Sequence, residues 1–111
     1  MQAFGNYRVL AHHEFPECSL RLLRLDVGQA SAAHTHARCV QGYLVLEGVA
    51  QVRVGTTYHR LARGEAVRIP AGTVHGVEPL DGPVVVLSVS VPPLRADDHF
   101  PESPTDPPAL P

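Results

Sequence analysis

Histidines occupy positions 34 and 36 in the stretch GQASAAHTHARCVQGYLVLEG, residues 28–48, just ahead of a run of strand-forming residues. In an extended chain, residues two apart point the same way, so these two imidazoles share one face about 7 Å apart along the backbone. Neutral imidazole is a common ligand for divalent metals, and two on one face can converge on a single ion. The same alternation puts Gln41, Tyr43 and Val45 on a common face further along, after a turn at Ala37 and Arg38. Another histidine, His75, lies in the segment IPAGTVHG, where Pro70 and Gly72 make a turn and Val74-His75-Gly76 begins another strand. Closure of a barrel would bring His75 opposite the first pair. One His-x-His pair in a chain with seven histidines is a weak signal taken alone.

The elements that must position these residues read as strands. Between residues 7 and 91 the segments SLRLLRLDV, CVQGYLVLE, AQVRV, YHRLA, AVRIP and VVVLSVSV are short, rich in branched residues and bounded by Gly, Pro or Asp-Gly. Helical periodicity is almost absent. Ala50, Val52 and Val54 alternate with Gln51 and Arg53 as in a half-buried strand, whereas adjacent Leu22 and Leu23 point to opposite faces. Gly55-Thr56-Thr57 and Asp81-Gly82-Pro83 are hairpin or loop candidates. Many short, evenly spaced strands in a chain of 111 residues and 12.0 kDa predict one all-β domain, a sandwich or a closed barrel.

From Pro92 onward the composition changes, and the segment carries seven of the eleven prolines and four of the eleven acids. Proline removes backbone donors, so the reading is a barrel over residues 1–91 and a Pro-rich acidic C-terminal tail over 92–111, extended, disordered or loosely packed. All nine basic residues are arginine, as in GC-rich bacterial genomes, and they are scattered along a chain of net charge −2. That pattern argues against nucleic acid as a partner. Apolar runs such as Val84–Leu87 are far too short to span a membrane, and the N-terminal residues lack the features of a secretion signal, so a cytoplasmic location is expected. The two cysteines, Cys18 and Cys39, are expected as thiols.

Around the histidines stands a wider framework. Gly28, His34-x-His36, Gln41 and Gly48 resemble the first motif of the cupin family at each spacing, and Gly64, Pro70-x-Gly72 and His75 resemble the second. The linker between them, Val49 to Arg63, has the length found in a minimal cupin, and the resemblance embraces most of residues 7–91. It implies a small double-stranded β-helix, an antiparallel jelly-roll barrel. It also implies one divalent metal ion, Fe, Ni, Zn, Mn or Co, held by His34, His36, Gln41 and His75. Gln41 stands where the family usually carries glutamate, and Pro79 where it carries asparagine. A neutral amide leaves more of the ion's charge uncompensated than a carboxylate would, making a stronger Lewis acid but a weaker bond.

Tyr43 is expected to point inward beside the metal, as a proton donor or as plain core. Cys39, Val45, Val67, Ile69, Val77 and Leu87 are expected to wall the pocket. His12, His13, His59 and His99 receive no ligand role, and Glu47 is placed at a wet rim. The chain shows no inward carboxylate pair, nucleophile elbow, phosphate loop or CxxC, so any chemistry belongs to the metal. The resulting expectation is a metalloenzyme of dioxygenase, isomerase or lyase type acting on a small polar organic molecule. The alternative is a non-enzymatic small-molecule sensor or binding protein. The resemblance also implies a homodimer.

Overall fold

Ten strands account for the regular structure of the computed structural model, which describes residues 6–101. In chain order they are β1 (Arg8–Glu14), β2 (Ser19–Leu25), β3 (Ser31–Thr35), β4 (Val40–Glu47), β5 (Ala50–Val54), β6 (Thr57–Leu61), β7 (Ala66–Ile69), β8 (His75–Pro79), β9 (Val84–Val91) and β10 (Phe100–Pro101). Among the described residues no helix forms, so none is long and apolar enough to cross a membrane. The strands pair antiparallel in two five-stranded sheets, β1-β2-β9-β4-β7 and β10-β3-β8-β5-β6, the jelly-roll arrangement the two motifs imply.

The inner face of the first sheet is graded along its length, and that gradient positions the site. Cross-strand register sets Ser19, Ser90, Gln41 and Ile69 in one rung, and Arg21, Ser88 and Tyr43, with Val67 beyond Tyr43, in the next. The following rungs are Leu23 with Val86 and Val45, then Leu25 with Val84. Polar side chains therefore gather at one end of the barrel and branched apolar ones at the other.

The apolar end supplies the packing. Leu25, Val45, Val52, Val84 and Val86 are fully buried and join Leu23, Ile69 and Val77 in one cluster. Each such side chain contributes about 1.5–3 kcal/mol on burial, so Leu25→Ala should cost about 2–5 kcal/mol.

Two glycines let the sheets close. Gly48, between β4 and β5, holds φ at +82°, and a Cβ there would run into the Pro83 carbonyl oxygen. At Gly76 a Cβ would stand 3.0 Å from the Ser31 carbonyl oxygen, so the missing side chain lets β8 lie close to β3.

Two readings of the sequence need correction. Leu87 is not a cavity wall: it pairs with Leu22 and Leu44 on the outer face, because its neighbours Val86 and Ser88 take the inward positions. The unbroken apolar run VVVL hid that alternation. His12 and His13, which received no ligand role, sit within β1, opposite Arg21 and Leu20. Within the segment set apart from residue 92, Phe100 and Pro101 pair with Thr35 and His34 of β3 as the outer strand of the second sheet. Residues 102–111 lie outside the described residues.

Candidate metal centre

His34 and His75 face each other across the β3–β8 pair, with ring centroids 4.2 Å apart. A register shift between Ser31 and His34 sets that pairing. His36 follows two residues on, its ring 4.7 Å from His34 and 5.2 Å from His75. The Gly72 N–H donates to the His36 carbonyl over 2.7 Å, tying the turn of the second motif to the end of the first. All three rings are buried, and their ligand nitrogens lie within 4.8 Å of one another.

The tautomer of each ring follows from its partner. His34 Nδ1 lies 2.6 Å from the Ala32 carbonyl oxygen, His36 Nδ1 2.5 Å from that of Asp98, and His75 Nδ1 2.9 Å from that of Thr73. A carbonyl only accepts, so Nδ1 carries the proton in each ring and Nε2 is left with a bare lone pair. Burial drives the same way. It pulls the His34 pKa down to about 3, with His75 close by adding to the effect, and the His75 pKa down to about 4. His36 is lowered as well, burial outweighing the pull of the Asp98 carbonyl and carboxylate. Three neutral imidazoles with converging lone pairs suit a divalent cation.

Two orphaned atoms test the fit. His75 Nε2 and Gln41 Oε1 are buried and have no hydrogen-bond partner. A buried acceptor without a partner costs about 1–3 kcal/mol, which coordination of an ion would offset. Gln41 Nε2 donates to Ser90 Oγ over 2.8 Å, which fixes the amide and leaves Oε1 as its other end. Gln41, His34, His36 and Tyr43 line one interior cavity. The residues present therefore fit the ion that the two motifs imply.

The remaining expected residues fall as follows. Tyr43 is buried with its ring 5.9 Å from that of His75, and burial pushes its hydroxyl above the ordinary tyrosine range, so it stays protonated. Cys39 is buried, and desolvation pushes its thiol up to about 11, which keeps it a thiol rather than a soft anionic ligand. Val45, Ile69 and Val77 belong to the apolar cluster, with Val67 packed against it. Glu47 is exposed, at the end of β4.

Several residues at the site escaped the sequence reading. The His99 ring lies 4.6 Å from His34 and 5.5 Å from His36. Beside it Asp98, 3% exposed, accepts the N–H groups of Ala37 at 2.7 Å and Arg38 at 3.0 Å. Burial alone would raise the Asp98 carboxyl, but those two donors and the Arg38 guanidinium outweigh it and hold it below the usual carboxylate range. The signal for both residues was masked by the prolines around them. Arg21 and Ser88 also line the cavity. For Ser88 and Ser90 the clue was present, since SVSV places two hydroxyls on one strand face.

Comparisons with known proteins agree with this geometry. Residues 21–90 match the family described as Cupin domain. An uncharacterized protein of Streptomyces coelicolor is 35% identical over 75 residues, which span 68% of this chain and 70% of that protein. A solved structure from Thermus thermophilus superposes with a TM-score of 0.75 at 32% identity, covering 79% of this chain and 85% of the other. The structure of KdgF from a Halomonas species superposes with a TM-score of 0.71 at 26% identity, covering 85% and 83%.

Proposed function

The chain belongs to the cupin domain family, and from that membership and its three buried imidazoles we propose that it binds one divalent metal ion and acts as an enzyme on a small polar organic molecule. The observation that carries this reading is the orphaned pair, His75 Nε2 and Gln41 Oε1, buried in a barrel that otherwise satisfies its polar side chains with few exceptions. In this reading His34, His36 and His75 hold the ion through Nε2, and Gln41 offers its amide oxygen. Three nitrogens and one neutral oxygen suit Fe(II), Ni(II), Co(II), Zn(II) or Mn(II). Bound there, the ion supplies Lewis acidity, or dioxygen reactivity if it is iron.

The chain's own residues do the rest. The backbone carbonyls of Ala32, Asp98 and Thr73 keep each Nδ1 protonated and each ring turned inward. Tyr43, kept neutral by burial, donates a hydrogen bond or a proton to the bound molecule. A second reading, a sensor or binding protein without turnover, is supported by the lack of any carboxylate side chain among the residues lining the cavity, since a general base is then missing.

Metal analysis and turnover separate the readings. An enzyme forms product from its substrate and loses that activity in His75→Ala. A sensor gains thermal stability from its ligand without forming product. Protein that takes up none of the five metals would refute the metalloenzyme and leave only a metal-free binding protein.

A further inference from the structure

The two sheets carry unlike outer faces. On the second sheet the outward rungs hold Arg60, Gln51 and Glu78, then Tyr58 and Arg53, as a solvated antiparallel sheet should. On the first, one outward rung runs Ala11, Leu22, Leu87, Leu44 and Ala66 across all five strands. Leu20, Val89 and Gly42 form the middle of the next rung, and Val91 with Val40 the one after. None of these positions is buried, and Val91 is 51% exposed. Charged and polar groups stand around them: Arg8, Arg24 and Glu47 on the rung at one end, His13 and Arg68 on the flanking strands. An apolar centre inside a polar rim is the anatomy of a protein–protein interface, and so large a patch is rare on a chain that works alone.

Gly42 adds a second observation. It sits within β4 without a positive φ, and an added Cβ would meet nothing closer than the Val67 carbonyl oxygen at 3.9 Å. The chain's own packing therefore does not demand a glycine here, where it weakens a strand. Its effect is a groove of about 340 Å³ on the outer face, walled by Val40, Val89, Val91, Ala66 and Arg68.

We propose that this face binds the same face of a second copy of the chain, sheet against sheet. A two-fold axis along β9 lays β2 of each copy over β4 of the other, rung for rung. Leu22 then meets Leu44, Leu20 enters the groove over Gly42, and Arg24 meets Glu47. The surface is thus complementary to itself in shape and in charge. Four strands of seven or eight residues and one of four give a footprint of about 500 Å² on each copy. The total of about 1,000 Å² reaches what a specific interface needs. The contact uses the face of the sheet and leaves the strand edges and the inner faces, with the imidazoles, untouched. It stands whether or not the centre takes up an ion.

Sedimentation velocity of the full chain, across a wide range of micromolar concentrations, reads the assembly state. Wild type should run as two chains. Leu87→Lys, at the centre of the face, and Gly42→Val, which fills the groove, should each weaken the dimer at least tenfold, with circular dichroism and zinc uptake as in wild type. Glu47→Arg should weaken it by setting two arginines together, and adding Arg24→Glu should recover most of that loss. Tyr58→Glu, on the outer face of the second sheet, should leave the dimer intact. Wild type that stays monomeric would overturn the proposal and give the face to an unlike partner. A dimer untouched by Gly42→Val and by Glu47→Arg would overturn it equally, placing the contact on a strand edge or on the second sheet, and neither of those variants disturbs a buried side chain.

Discussion

At the scale of single residues, the centre is built on buried imidazoles and on two buried acceptor atoms, His75 Nε2 and Gln41 Oε1, that have no hydrogen-bond partner. Each imidazole donates a hydrogen bond from its one N–H to a backbone carbonyl, and burial opposes the gain of a second proton. Gln41 is the residue on which the strength of the site turns. Replacing it by glutamate supplies a negative charge where the amide offers only a dipole, so Gln41→Glu should tighten zinc binding roughly tenfold or more. The same change should destabilise the metal-free protein by about 1–3 kcal/mol, because a buried carboxyl then lacks its counter-ion. Competition against a chelator of known affinity measures the first effect and urea unfolding the second. Unchanged zinc affinity would remove Gln41 from the coordination shell.

At the scale of elements, the segment carrying Asp98 matters most. Asp98 caps the turn at Ala37 and Arg38, its carbonyl accepts the His36 Nδ1–H hydrogen bond, and β10 follows at once against β3. Asp98→Ala should cost about 1–3 kcal/mol and speed amide exchange across residues 98–100 and at Ala37 and Arg38, with zinc affinity falling several-fold as the backbone carbonyl that braces His36 loses its fixed position. Hydrogen exchange followed by mass spectrometry checks it, and exchange at the wild-type rate would show that the cap is idle. The elements differ in how far the sequence declared them. β4, β5 and β7 could be read from alternation and flanking turns and β9 from its branched residues alone, and the glycines and histidines of the two motifs placed His34, His36 and His75 together. β10 could not be read, because two residues among prolines carry no periodicity and gain their structure only by pairing with β3. Arg21 was obscured for a related reason. Leu20, Leu22 and Leu23 surround it in β2, so no polar alternation marked it as inward, and only the register with Ser88 does.

For the whole molecule, the graded interior links stability to pH. The unfolded chain titrates His34 and His75 near the ordinary value of 6.5, whereas the folded chain holds them at about 3 and about 4. Between those limits the unfolded state binds more protons, so stability is fully present above pH 6.5 and is lost as pH falls toward 4. Each imidazole protonated only in the unfolded chain removes about 1.4 kcal/mol per pH unit, and two together about 2.7. Asp98, held below the usual carboxylate range, acts in the same direction at lower pH. Urea unfolding of the metal-free protein at pH 7.5, 6 and 5 should show that slope, whereas a flat profile would mean the rings are open to water. Zinc should raise the curve most at neutral pH and lose its effect in acid, where protons compete for the same nitrogens.

The most direct measurement is the metal content of untagged protein after incubation with each of the five candidate ions, made in parallel on wild type and His75→Ala. One equivalent of bound ion per chain in the wild type, nearly abolished in a variant whose circular dichroism is unaltered, is the predicted result. An absence of bound ion from wild type, or equal loading of the variant, would contradict the account.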